Sequence, residues 1–251
     1  MAKMQIHKAH PRSGQLRVLL SCICCLMSDR ICIQTYNNET IMQTLVSDTD
    51  ILACCGERCG HGCNGGYMTE AWGYVVNNGT CSGGPYLAKD CCKPYAFHPC
   101  GQHKGQPYYG ECEKPNENTP TCRKRCQFHY KKAYEEDKIK VLHAYYVYGL
   151  VNEIAMQEEL MAFGPFQAAF IVYDDFRYYK SGVYVHKYGK EAGGHAVKII
   201  GWGVENEVKY WLVSNSWNSD WGDNGYFKIL RGENECGIEG PGMAGKMWIG
   251  R

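Results

Sequence analysis

The chain lacks a surplus of charge of either sign: 27 lysines and arginines face 26 aspartates and glutamates over 251 residues, a net +1. No global field therefore draws it to nucleic acid. It also lacks an apolar run of the roughly 20 residues that a bilayer span requires, and Met1 is followed by the polar AKMQIHKAHPRSG rather than the apolar core of a secretory signal. The export signal is therefore expected to have been cut from this chain, or its start to be wrong. Neither nucleic acid nor membrane is an expected partner, and no cofactor is expected. A metal-ligand pair of pairs is missing too. What is abundant instead is cysteine, 16 in all, hard to keep reduced in a cytosol and therefore pointing to an oxidising compartment. Cys54, Cys55, Cys59 and Cys63 are interleaved with Gly56, Gly60, Gly62, Gly65 and Gly66, and adjacent cysteines make awkward tetrahedral zinc ligands. The triplets Asn38-Glu39-Thr40 and Asn78-Gly79-Thr80 are glycosylation sequons that fit export. The length allows one or two domains with a real core.

Chemistry concentrates between Gly193 and Trp217. His195 follows two glycines directly, and Asn215 stands one hairpin later, ahead of Ser216 and Trp217. The runs Ala196–Gly201 and Tyr210–Ser214, rich in β-branched and aromatic residues and separated by a turn over Gly203–Glu207, predict paired strands. That pairing brings His195 and Asn215 together. An imidazole oriented by an amide is half of a nucleophilic constellation, because the amide fixes the tautomer and leaves the other ring nitrogen for a nucleophile. On the dyad alone, a hydrogen-bonded core histidine is an equal reading.

The whole string GGHAVKIIGWGVENEVKYWLVSNSW resembles the histidine and asparagine segments of papain-family cysteine peptidases, close to their cathepsin B branch. That resemblance implies a peptide-bond hydrolase with His195 as general base, Asn215 as its orienting partner and Trp217 shielding the amide from water. It implies an α+β, two-lobe fold, with a mainly helical left lobe over 27–140 and an antiparallel β-barrel right lobe over 141–251. Gly65 and Gly66 take the family role of meeting substrate backbone, a tight turn being the other reading; Ala196 joins the substrate-contacting set. Glu239, in CGIEG, matches the acid at the base of the S2 pocket that admits arginine at P2, with a solvated surface glutamate as the alternative. A disulfide-rich insertion resembles the occluding loop, between Cys100 and Cys112. Within it Gln102 and His103 stand where two adjacent histidines hold a substrate's terminal carboxylate, and a neutral glutamine weakens that grip. The implied disulfides are Cys55–Cys59, Cys54–Cys122, Cys92–Cys126 and Cys100–Cys112, leaving Cys32 and Cys63 unpaired. The implied partners are a peptide or protein substrate and propeptide or cystatin-like inhibitors, acting on a monomer in a lysosomal or extracellular setting.

Around the site, Ser47 with Asp50 three residues on predicts a capped short helix. Asn64–Asn78 carries Tyr67, Ala71, Trp72, Val75 and Val76 at helical spacing up to Gly79, and these aromatics are expected in the core. Residues 79–130, rich in cysteine and proline, leave little room for helix or strand. Lys131–Lys140 reads as a solvated linker, and Asn152–Phe163 as a helix ended by Gly164-Pro165. Strands are predicted at Phe166–Tyr173, Gly182–His186, Ala196–Gly201, Tyr210–Ser214 and Tyr226–Leu230.

Residues 1–26 break the pattern. MSDRICIQT, from Met27, resembles the end of the helix that carries the family's catalytic cysteine, yet nothing before it matches. Leu16–Leu20 can be encoded as TTG CGG GTC CTG CTG, which one nucleotide later reads TGC GGG TCC TGC TG, the family's Cys-Gly-Ser-Cys and the beginning of its tryptophan codon. Extended back over residues 1–18, the shifted frame can read WPKCKSTKHIRDQASCGS, oxyanion glutamine included. Ser21 cannot begin with G, so the tryptophan codon itself is not intact. Residues 1–26 are accordingly read as an out-of-frame segment, and the chain as lacking its nucleophile. Cys22, Cys24 and Cys25 lie nearby, but three residues along a helix displaces a thiol by some 4 to 5 Å. Leu16–Leu26 itself reads as a buried apolar helix. Three functional readings follow: an active peptidase by family, an inactive homologue that binds peptides or inhibitors, and the product of a frameshifted gene.

Overall fold

The computed structural model describes residues 15–36, 44–61, 65–111, 119–148 and 153–248, with side chains from residue 22 in the first stretch. The sequon Asn38, the cysteines Cys63 and Cys112 and the cap position Asn152 lie outside the described residues.

A helix α1 (Gln15–Tyr36) runs through the helical half. Ile23, Leu26 and Met27 have no exposed surface, and Cys22, Cys24 and Ile31 are almost as deeply buried, so the apolar stretch before Met27 enters the core where its side chains are described. Helix α2 (Asp48–Cys55) starts as its sequence predicts, with Ser47 Oγ accepting the Asp50 N–H at 3.1 Å. Helix α3 (Met68–Asn78) ends at Gly79, whose φ of 65° suits a residue without Cβ. It starts later than predicted. Tyr67, expected in the core, is the extended N-cap residue, off the helical face, and 56% exposed; Ala71, Trp72 and Val75 are buried.

Between α3 and the first strand the described residues hold neither helix nor regular strand, and disulfides do the stapling. Cys54–Cys122, Cys55–Cys59 and Cys92–Cys126 are all formed. Cys100 is disulfide-bonded too, while its expected partner Cys112 lies outside the described residues. Cys32 is in no disulfide. The expected solvated linker is half wrong. Tyr134 and Asp137 are buried and the Lys138 side chain is nearly so, because all three have partners elsewhere in the chain. Tyr134 donates to Asp50 at 2.8 Å, Lys138 reaches the same carboxylate at 3.2 Å, and Asp137 accepts from Ser82 and Tyr130.

The other half is a seven-stranded sheet, β1 (Val141–Val147), β2 (Phe166–Tyr173), β3 (Val183–Tyr184), β4 (Glu191–Glu205), β5 (Val208–Ser214), β6 (Tyr226–Leu230) and β7 (Gly242–Met247), with α4 (Glu153–Phe163) before β2. Its order is β1-β7-β2-β4-β5-β6-β3. Neighbours are antiparallel except β3 and β6. The sheet is open, with β1 and β3 at its edges, where a closed barrel was expected. Helix α4 stops at Gly164, φ 93°, as the Gly-Pro pair predicts. Strand β7, GMAGKM, escaped the strand pattern because it lacks branched residues; a Cβ on its Gly245 would fall 2.5 Å from the Trp72 ring, so glycine is what lets α3 close on the sheet. Helix α1 packs on β4, and Lys198 of β4, 2% exposed, pairs with Asp29 of α1.

Candidate active site

The site begins with strand pairing. In β4, His195 lies opposite Phe170 of β2, and Lys198 lies opposite Ser214, the last residue of β5. The β4–β5 pairing therefore carries Asn215 back beside the histidine. His195 Nε2 and Asn215 Oδ1 are 2.8 Å apart, with both residues buried. The same Oδ1 accepts the Ser216 N–H at 2.8 Å, which identifies that amide atom as the oxygen. Nε2 therefore carries the proton in the neutral ring, and the Nδ1 lone pair is the one left to take a proton.

Aromatic rings dry this pair. The Trp217 ring lies 5.1 Å from the imidazole and Phe170 lies 5.7 Å away. Phe176 and Trp221 pack edge-on to Trp217 at 5.4 and 5.0 Å. Burial in this wall lowers the pKa of His195 to about 4, the Asn215 bond opposing only part of that drop. The ring is neutral at ordinary pH. Phe170, Phe176 and Trp221 were not anticipated as parts of the site; only the neighbouring SWNSDW string hinted at an aromatic cluster.

Two thiols of α1, Cys22 and Cys24, are poor stand-ins for a nucleophile. Burial pushes Cys22 and Cys24 well above the ordinary thiol range, and the nearby Lys198 ammonium offsets only part of this for Cys22. Among groups able to hold a metal, the Cys81 and Cys92 sulfurs and an Asp137 oxygen lie within 4.8 Å of one another. Cys92 is spent in a disulfide, and Asp137 already accepts from the Ser82 N–H, the Ser82 hydroxyl and the Tyr130 hydroxyl. Cys54, Cys55 and Cys59 are likewise consumed in disulfides.

The remaining predicted residues are placed as follows. Gly65 has φ 136° and its carbonyl accepts the His61 N–H, while Gly66 bridges to Gly60; a Cβ on Gly60 would fall 2.4 Å from the Gly65 oxygen, so the two backbones approach closely here. Ala196 is buried opposite Ala169. The Gln102 amide donates to Gln106 O at 2.8 Å and to His103 O at 3.3 Å, so it is spent on its own loop. His103 Nδ1 meets Asp220 Oδ2 at 3.0 Å. That contact ties the loop to the segment that follows Trp217.

Glu239 is not the solvated surface residue of the alternative reading. It is 3% exposed. Its oxygens accept the Trp211 indole N–H at 2.8 Å and the backbone N–H groups of Gly232 and Asn234 at 2.6 and 2.8 Å. With three donors in place the carboxylate organises the turn after β6 and keeps little free acceptor capacity for a substrate guanidinium.

Comparison with known proteins identifies relatives of the chain. Residues 21–245 match the model of the papain family cysteine protease. The chain is 49% identical over 219 residues to cathepsin B-like cysteine proteinase 1 of Haemonchus contortus, covering 87% of this chain and 62% of that protein. It is 49% identical over 213 residues to cathepsin B-like cysteine proteinase 4 of Caenorhabditis elegans, covering 84% and 62%. It thus spans less than two thirds of the length of these relatives. The solved structure of proCathepsin B S9 from Trypanosoma congolense superposes with a TM-score of 0.76 at 32% identity, covering 100% of this chain and 82% of that one.

Proposed function

Because the chain belongs to the papain family of cysteine proteases, we propose that it carries the base half of a cathepsin B-like peptidase site, His195 and Asn215, and that the chain as written lacks the nucleophile. The observation that carries this reading is the buried 2.8 Å bond from the imidazole to the asparagine amide, under Trp217. In a complete site the thiol loses its proton to His195 Nδ1, the thiolate attacks the peptide carbonyl, the imidazolium protonates the leaving amine, and water hydrolyses the acyl-enzyme.

Two observations support the loss of activity. The family match starts at residue 21 and leaves residues 1–20 aside, in keeping with an out-of-frame segment over 1–26 ahead of a helical region, 27–140, and a sheet region, 141–251. Burial raises the pKa of the Cys22 and Cys24 thiols on α1, which disfavours these two as thiolate nucleophiles. The retained base half, with the glycine turn at Gly65 and Gly66, leaves a surface for peptides, propeptide-like segments or cystatin-like inhibitors. The disulfide-bonded cysteines suit a lysosomal or extracellular setting.

Sequencing the transcript across codons 1–27 tests the frame directly. In parallel, purified protein is assayed on fluorogenic dipeptide amides and labelled with a thiol-directed peptidyl inhibitor. No turnover and no labelling are expected; turnover abolished by Cys22→Ala alone would overturn the reading.

A further inference from the structure

The aromatic wall over His195 depends on how the chain turns after Trp217. Asn218, the next residue, has φ 76° and is 3% exposed. That is the left-handed region, which residues other than glycine rarely adopt and which asparagine tolerates better than most. Side-chain bonding explains the residue type only in part. Asn218 Oδ1 accepts the Ser219 N–H at 2.7 Å and the Ser219 hydroxyl at 3.3 Å, whereas the buried Nδ2 has no acceptor among the described residues. A buried amide nitrogen without a partner is destabilising, so it is the backbone angle that accounts for an asparagine here.

The consequence of that angle can be followed bond by bond. The Asn218 carbonyl accepts the Trp221 N–H at 3.4 Å, the Trp221 carbonyl accepts the Gly225 N–H at 2.9 Å, and the Gly225 carbonyl accepts the Asn215 N–H at 3.0 Å. The turn thus closes back on the asparagine that holds the imidazole. It also brings Trp221 edge-on to Trp217 at 5.0 Å, with Phe176 against the two rings at 5.0 and 5.4 Å and the Trp221 indole N–H fixed on Arg177 O at 3.1 Å. Trp217, backed by these two rings, lies 5.1 Å from the imidazole.

We infer that Asn218 is a positioning residue for His195: its left-handed backbone, rather than its amide, seats Trp217 on the imidazole and keeps water from the ring. A residue that drives φ negative at this position turns the chain away from Trp221, frees Trp217 and wets the histidine. Burial and the Asn215 bond are the two influences on the His195 proton, with no charged group contributing, so the titration of this ring reports the seal directly. The histidine is the one proposed above as a general base, but the inference concerns only its surroundings and is tested on the chain as it is, whether or not that chain cleaves peptides.

The test is NMR titration of the full chain carrying isotope-labelled histidine, the His195 resonance being identified by its loss in His195→Gln. Asn218→Gly, free to adopt the same angle, is expected to titrate as the parent does, with a midpoint at about 4. Asn218→Val, for which a positive φ is an outlier, is expected to move the midpoint up toward the ordinary 6.5, a gain of about tenfold or more in proton affinity. Asn218→Ala, strained less at that angle, should move it the same way by less, and carries the test should the valine chain not fold. Ser47→Ala, which removes a cap bond in the helical half, should leave the midpoint alone, and so separates lost stability from lost positioning. A parent midpoint at the ordinary value, an unmoved midpoint in Asn218→Val or, in its stead, Asn218→Ala, or a midpoint raised as far in Asn218→Gly as in Asn218→Val would each overturn the inference.

Discussion

Protonating His195 would set a cation among Trp217 and Phe170, with the Asn215 oxygen already engaged by Nε2–H. The folded pKa of about 4 lies below the ordinary 6.5, so between these values the unfolded chain binds a proton that the folded chain refuses. Stability is therefore full above about 6.5 and is lost as pH falls toward about 4, by up to roughly 3 kcal/mol. Asp175, which its hydrogen bonds to backbone N–H groups, Tyr184 and His186 hold at about 2 despite burial, titrates below that window. Denaturant unfolding at stepped pH should show the slope in the parent and a flatter one in His195→Gln; identical slopes would contradict it. Both members of this dyad were legible, because glycines before the histidine and a hairpin before the asparagine fix their meeting through strand register. The surroundings of Glu239 were not legible, because its motif gives identity but not burial, and its donors come from β5 and a turn. Glu239→Gln replaces one acceptor by a second donor facing the Asn234 N–H and should cost about 2 to 3 kcal/mol. In a chain with its nucleophile restored, cleavage of substrates with arginine and with phenylalanine at P2 should change together, and a selective loss for arginine would return Glu239 to the pocket.

At the scale of elements, local signals set the ends of helices while long-range polar partners set where the loops go. Ser47, Gly79 and Gly164 did what their residue types predict. The stretch 131–140 did not, because nothing local announces that Tyr134 and Lys138 converge with Lys93 on Asp50. The Asp50 side chain has no exposed surface, and Lys93 and Lys138 reach it at 2.5 and 3.2 Å. Burial alone would raise its pKa, but the Lys93 hydrogen bond, the two ammonium charges and Tyr134 together lower it. Both ammonium groups also stand over the Tyr134 ring, at 4.4 and 4.1 Å. Removing the carboxylate leaves two nearly buried ammoniums uncompensated, so Asp50→Ala should cost about 3 to 5 kcal/mol. Ser47→Ala, which removes a cap bond, should cost about 1 kcal/mol. Urea unfolding of both variants checks the ranking, and an Asp50→Ala loss no larger than that of Ser47→Ala would mean that the cluster contributes no more than the cap.

The two halves of the molecule are joined through α1, and the joint is polar as well as apolar. Arg30, with no exposed surface, reaches Glu159 of α4 at 2.5 Å, the carbonyls of Gly164 and Pro165, the Tyr145 hydroxyl of β1 and the Gly245 carbonyl of β7. One side chain on the helix thus satisfies acceptors on three elements of the sheet half, and Lys198 of β4 answers from the other side by pairing with Asp29. These polar contacts between the helix and the sheet half are made by Asp29 and Arg30, where the sequence already resembles the family. On the reading proposed above, completing the site is therefore a matter of which residues occupy the start of α1. Replacing residues 1–26 by an in-frame family segment, tryptophan included, should accordingly restore endopeptidase activity without any change in the sheet half. In that restored chain His195→Ala should lower kcat/KM by about a thousandfold or more, and Asn215→Ala by less, since an orienting amide contributes less than the base it orients. Steady-state kinetics on one fluorogenic peptide decides both. Equal losses in the two variants would mean that the roles are misassigned, and no activity in the restored chain would mean that the defect extends beyond the first 26 residues.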